Sequence, residues 1–280
     1  MVNIHFISFG SDKDYVSLSN KITRNLSLKY PESYKKVYET KDLPDYIINY
    51  ALKYNRIGYG YYIWKPYIIS HYLNNLNYQE VLVYIDGRFG GFGSKSIYWL
   101  DKFLKENYYN FLAWDTGCLE CHYTTGDLLS YFNLNFSSLD ATSGQYAGGL
   151  FALRKTKSVI NLIDEWKNFL WFNSNLCRDE ISKLPNHDLF IENRHDQSVF
   201  SLLIKEYYRN NKINLLTIQN KDVYLPQSLQ PQFYPHPSQA FNLKVQFGFR
   251  KRQFRQFILS PIKIWIKSLL KNILLIFINK

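Results

Sequence analysis

Cysteine is scarce in this chain, with three in 280 residues. Cys118, Cys121 and Cys177 are an odd number, which excludes a closed disulfide framework. Cys118 and Cys121 stand at CxxC spacing and His122 follows, but no second CxxC completes a zinc set. The three therefore read as reduced thiols. Two nucleotide-binding signatures are also missing. No G-x-x-x-x-G-K-[ST] occurs, which excludes a P-loop, and no G-x-G-x-x-G follows the first strand, which weighs against a dinucleotide-binding fold. Acidic residues are missing from one end. From Phe249 onward there are 8 Lys or Arg and no Asp or Glu. The net charge of +11 shrinks to 26 basic against 23 acidic residues once those 8 are taken from the 34. A balanced body with a basic tail argues against nucleic-acid binding and points to an anionic membrane surface.

Apolar residues are plentiful. At 46% they supply a full core and exclude global disorder. The 24 Tyr and 20 Phe suit stacking on sugars or bases, although such abundance also follows from composition alone. The most informative run is Val81–Ile85, apolar throughout and stopped by Asp86-Gly87. Such a run reads as a strand buried on both faces. Ligand crevices in open α/β sheets lie outside the carboxyl ends of the strands, so Asp86 stands where chemistry is expected. Around it, strand and helix patterns alternate. Strands are expected at 3–10, 35–39, 81–85, 110–114, 143–153 and 213–218. Helices are expected at 12–28, 43–54, 66–76, 94–106, 125–132, 156–169 and 196–208, with a loop-rich stretch at 178–193. The order predicts a layered α/β fold with a largely parallel mixed sheet flanked by helices. The expected domains are 1–248 and a tail of 249–280.

Four groups of residues are candidates for chemistry. Asp86 needs a partner for its charge: a metal ion, a sugar hydroxyl or a cation. His195-Asp196-Gln197 opens a helix, with Asp196 read as its N-cap, where a carboxylate is stabilised. Gly148 and Gly149 interrupt a strand, which marks a bulge or a close approach by a ligand. Arg56, Tyr59, Trp64 and Lys65 combine cations suited to phosphates with aromatics suited to a base or sugar.

In order, GYGYYIWKP, the strand ending YIDG, QYAGGLFALRKT, DEWKNF and RHDQSVFSLL resemble the GT-A-type glycosyltransferases of bacterial and viral capsule or lipopolysaccharide synthesis. The resemblance spans roughly residues 3 to 220 and implies a GT-A-like fold. It implies an enzyme that moves a sugar from a nucleotide-sugar donor to a glycan or lipid-linked acceptor. Carried over, Asp86 lies at the donor diphosphate beside Mn²⁺ or Mg²⁺, and Gly148 and Gly149 line the sugar pocket. His195 belongs with the donor contacts. Asp196 with Gln197 lies between donor and acceptor, with Asp115 as the second candidate acid. The family's usual second carboxylate is replaced here by Arg88, which is able to pair with the diphosphate directly. The alternatives are a non-catalytic nucleotide-sugar or carbohydrate binder of the same fold and, less favoured, a nucleic-acid-binding protein.

The tail carries its own signal. After Ser260-Pro261, Lys263, Lys267 and Lys271 recur every four residues along 262–278, with Ile, Leu, Trp and Phe on the other face. Spanning a bilayer would place lysines in hydrocarbon at about 2.5–3.5 kcal/mol each near the centre. Lying in the interface avoids that cost. Because the first strand pattern begins at Val2, with no signal peptide before it, the body is expected in the cytoplasm, attached to the inner face of the membrane.

Overall fold

A computed structural model describes residues 2–54, 58–89 and 98–219. These residues form a six-stranded mixed sheet in the order β2-β1-β3-β5-β4-β6. The strands are β1 (Ile4–Gly10), β2 (Tyr34–Glu39), β3 (Val81–Ile85), β4 (Phe111–Leu119), β5 (Gly144–Arg154) and β6 (Leu215–Gln219). β1 pairs parallel with β2 and β3, and β4 with β6; β5 runs antiparallel between β3 and β4. Five strands thus point one way, and their carboxyl ends share one edge with the start of β5.

The helices are α1 (Lys13–Lys29), α2 (Asp45–Lys53), α3 (Gly58–Tyr61), α4 (Trp64–Asn74), α5 (Tyr98–Lys105), α6 (Glu120–Tyr123), α7 (Gly126–Tyr131), α8 (Leu139–Thr142), α9 (Lys157–Phe172) and α10 (Asp196–Arg209). Their starts follow the sequence. Asp12 caps α1 by accepting from the amides of Asp14 and Tyr15. Thr125 and Thr156 do the same for α7 and α9.

Residues alternate across the sheet. Ile7, Tyr84, Phe111 and Phe151 join the main core with α4, α9 and α10. Phe6 points to the other face and meets Tyr30 at the end of α1. Lys29 and Tyr30 both hold Asp101, which ties α5 to α1. In the main core, Phe200 of α10 lies 4.6 Å from both Phe151 and Trp166.

α3 is a single turn of the wrong hand. Gly58, Tyr59, Gly60, Tyr61 and Tyr62 all have positive φ, between 51° and 80°. The Tyr62 amide donates to the Gly58 carbonyl at 3.2 Å, closing the turn. L-residues in this region cost about 1–2 kcal/mol each, so three tyrosines store real strain. Trp64 offsets it by stacking on Phe9 at 3.9 Å and donating its Nε1–H to the Gly58 carbonyl.

Several expectations shift. α4 starts at Trp64 rather than at Pro66, and β4 runs on past Asp115 to Leu119. His195, not Asp196, holds the N-cap place of α10, with φ of 54°, and its side chain does not cap. Asp196 is the first helical residue. Arg56, the loop glycines 90–93, the start of helix 94–106, the segment 226–237, the 248/249 boundary and the C-terminal amphipathic helix lie outside the described residues. No helix among the described residues is long and apolar enough to cross a membrane.

Candidate functional site

β3 delivers Asp86 to the sheet edge and α10 delivers Asp196 to the same place. Each carboxylate is buried and each has its own cation. Arg88 Nη2 lies 2.8 Å from Asp86 Oδ2. Lys65 Nζ lies 2.8 Å from Asp196 Oδ2, and both of those side chains are 3% exposed or less. The backbone between them is Gly148-Gly149. A Cβ on Gly149 would stand 2.6 Å from Asp86 Oδ2, and one on Gly148 would stand 3.4 Å from Asp196 Oδ2. At Gly149 the Asp86 carboxylate takes the room a side chain would use, whereas at Gly148 the nearest neighbour is Gln197 Cβ at 3.3 Å. Gly87 has a different cause: its Cβ would meet Ser19 Oγ at 2.6 Å, so it lets α1 approach.

The shell around these pairs is ordered. The Tyr84 hydroxyl donates to Asp86 Oδ1, and the Asp86 amide donates to the Gly149 carbonyl at 2.8 Å. Tyr84 stands two residues before Asp86, so both point to one face of β3. Lys65 Nζ sits 4.7 Å above the Tyr62 ring and 5.6 Å from that of Tyr84. Gln197 accepts from the Gly148 amide at 3.1 Å and donates to Gln145 at 2.6 Å. Gln145 in turn donates to Glu120, which is also bound by Lys205, Ser201 and Thr124. Trp166 Nε1–H holds the Asp196 carbonyl at 3.2 Å.

The two acids are driven apart in acidity. Burial pushes the Asp86 carboxyl up, but Lys65 and Arg88, with the Tyr84 hydrogen bond, outweigh it and hold it below the ordinary carboxylate value. For Asp196 burial wins: Lys65 offsets only part of it, Asp86 adds to it, and the carboxyl is raised. Two carboxyls tuned in opposite directions beside one pair of glycines make this the candidate functional site.

The expected residues separate into four places. Asp86, Arg88, Gly148, Gly149, Asp196, Gln197 and Lys65 come together. Lys65 is closed off beneath Asp196, whereas Arg88 is exposed and is the cation within reach of a ligand. Trp64 is buried against Phe9, and Tyr59 packs near the same ring. His195 donates Nδ1–H to the Cys177 carbonyl at 2.8 Å, with Tyr61 at its edge. Asp115 lies across β5 beside Gly144 and accepts from the Gly117 amide. It is half-buried, unlike Asp196. The sequence alone assigned no role to Tyr62 or Tyr84, and Gln145 stood only as the first residue of the motif that holds Gly148 and Gly149. Only Tyr84 carried a local signal, its i, i+2 relation to Asp86.

The donor set around Asp86 does not make a divalent-cation site as it stands. One oxygen accepts from Tyr84 and the other faces Arg88. The remaining nearby carboxylate is held by Lys65. Mg²⁺ and Mn²⁺ favour several oxygen donors, and a guanidinium occupies the ground where a second carboxylate would stand.

No protein-family model matches the chain, and no curated protein does. Among solved structures, 4-diphosphocytidyl-2C-methyl-D-erythritol synthase from Anaerococcus prevotii DSM 20548 superposes with a TM-score of 0.42 and 11% identity. The superposition covers 81% of this chain and 94% of that one.

Proposed function

We propose that the chain is a GT-A-type glycosyltransferase that moves a sugar from a nucleotide-sugar donor to an acceptor hydroxyl. The observation that carries the reading is the pair of buried, separately neutralised carboxylates facing Gly148-Gly149 at the carboxyl edge of the sheet. In the transfer, the bond from the anomeric carbon to the diphosphate oxygen breaks and a bond to the acceptor oxygen forms. The diphosphate departs with the electron pair, and the acceptor proton passes to a base.

Arg88 stabilises the departing diphosphate, a planar, always-charged fork suited to phosphate oxygens. Asp86 aims Arg88, and Tyr84 aims Asp86. Gly148 and Gly149 let the strand pass close to Asp86 and to Gln197 and so hold the acids at the donor's edge. Of the acids expected near the acceptor, Asp115 is the more reachable, and we assign it the proton. Asp196 and Gln197 are positioning residues: one fixes Lys65 and the other joins β5 to α10. The acceptor is a glycan or a lipid-linked sugar, and the basic tail holds the enzyme at an anionic membrane.

A panel of nucleotide sugars, scored by thermal shift with and without Mn²⁺, tests this reading. At least one nucleotide sugar should raise the midpoint, with little added by the metal. No shift from any of them would overturn it. Arg88 at the second-carboxylate position also favours a second reading, a non-catalytic binder, which predicts the shift without turnover on any acceptor.

A further inference from the structure

CxxC at 118–121 lacked partners in the sequence, and the fold supplies one. Cys121 and His122 of α6 and His187 of the loop between α9 and α10 place one ligand atom each within 4.8 Å of one another. The His122 and His187 rings are 5.2 Å apart. Cys121 and His122 are buried and His187 is half-buried, so the group is shielded yet open on one side. Cys118 is not a member; its thiol lies beside the Tyr123 phenol.

We propose that Cys121, His122 and His187 bind Zn²⁺ through one sulfur and two nitrogens. The donor set is soft and carries no carboxylate, which suits Zn²⁺ and not Mg²⁺ or Mn²⁺. A tetrahedral ion with Zn–N of about 2.0–2.1 Å and Zn–S of about 2.3 Å holds its ligands closer than 4.8 Å, so His187 has to move inward. Among the described residues its ring meets the Phe136 ring edge-on at 5.4 Å, and its hydrogen bond from the Leu189 amide to Nδ1 at 3.1 Å is exposed, so an inward shift gives up one aromatic contact and one exposed bond. Ligation through Nδ1 takes that lone pair, and ligation through Nε2 requires Nδ1 to carry the proton. Either way the ion replaces this bond, which is weak in water. The Cys121 proton is released to solvent as the thiolate binds. The fourth position is left to water.

The consequence is mechanical. Residues 178–195 run without a long helix or strand into His195 and Asp196. They are tied to α6 by the Ile191 amide on the His122 carbonyl and the Arg194 amide on the Tyr123 carbonyl. Zn²⁺ adds a third tie and fixes the approach to α10. This inference stands apart from the glycosyl-transfer reading.

The test uses the untagged full chain freed of metal by chelator and titrated with Co²⁺ and with Zn²⁺. We expect one Co²⁺ per chain with a thiolate charge-transfer band, and a higher thermal midpoint with Zn²⁺. Cys121→Ser removes the band, His187→Ala weakens binding at least tenfold, and Cys118→Ser leaves both signals intact. His187 is on a half-buried loop, so that variant reports even where Cys121→Ser folds poorly. Absence of one-to-one binding in the native chain overturns the proposal. So does a band that survives His187→Ala at unchanged affinity, or one lost only in Cys118→Ser.

Discussion

Gly149 and Asp86 fit so closely that a single methyl group cannot be added between them. Gly149→Ala should reduce nucleotide-sugar binding at least tenfold, read by isothermal titration, while destabilising the chain by about 1–3 kcal/mol as overpacking does. Unchanged binding would remove Gly149 from the site. Asp86 also sets a pH response. Its folded-state carboxyl lies below the unfolded value, so its stabilisation is fully present above about pH 4 and is lost as pH falls through the folded value. Urea midpoints measured from pH 6 downward should fall more steeply in the native chain than in Asp86→Asn. Parallel slopes would contradict the assignment. Asp86 was legible because a buried strand ended on a charge. The Lys65–Asp196 pair was not, since 131 positions separate its members and only the packing of both α4 and α10 on α9 brings them together.

α10 shows what a helical period reveals and what it hides. The spacing of Val199, Leu202, Leu203 and Tyr207 marked one apolar face correctly. It did not reveal that Ser198, Ser201 and Lys205 are also buried, because they face the Glu120–Gln145 network instead of water. A buried network of this kind reads as a polar face in sequence. The apolar side carries the stability. Phe200→Ala should cost about 3–5 kcal/mol in chemical denaturation, since the ring is fully buried between Phe151 and Trp166. A loss under 1 kcal/mol would mean that this core readily collapses around the gap. β4 was read short for a related reason: Asp115 looked like a strand end, yet its pairing with β5 resumes beyond a register shift.

At the scale of the whole molecule, the sheet gathers its chemistry at one edge and closes the other with cations. Buried Arg154 donates to the carbonyls of Tyr109, Gln79 and Phe103, and Lys155 to those of Asn74 and Leu76. The layered fold was legible from the alternation of strand and helix patterns. The reversal of β5 was not, because a doubly buried strand reads alike in either direction. The basic tail is a property of the sequence alone, and its role is measurable separately. Deleting the chain after Gln256 should abolish sedimentation with anionic liposomes and leave nucleotide-sugar binding unchanged. Liposome binding that persists would remove the tail as an anchor.

The wrong-handed turn at 58–62 has a consequence in stereochemistry. Its backbone lies in the region native to mirror-image amino acids. L-Alanine at Gly60 would be strained at a φ of 80° and would drive its methyl to 2.6 Å from the Ala51 Cα. D-Alanine at the same position, introduced by semisynthesis, accepts that φ and does not place its methyl where the L-methyl meets Ala51, so it should cost less stability than L-alanine in thermal unfolding. The segment is therefore one where a change of chirality is tolerated better than a change of side chain.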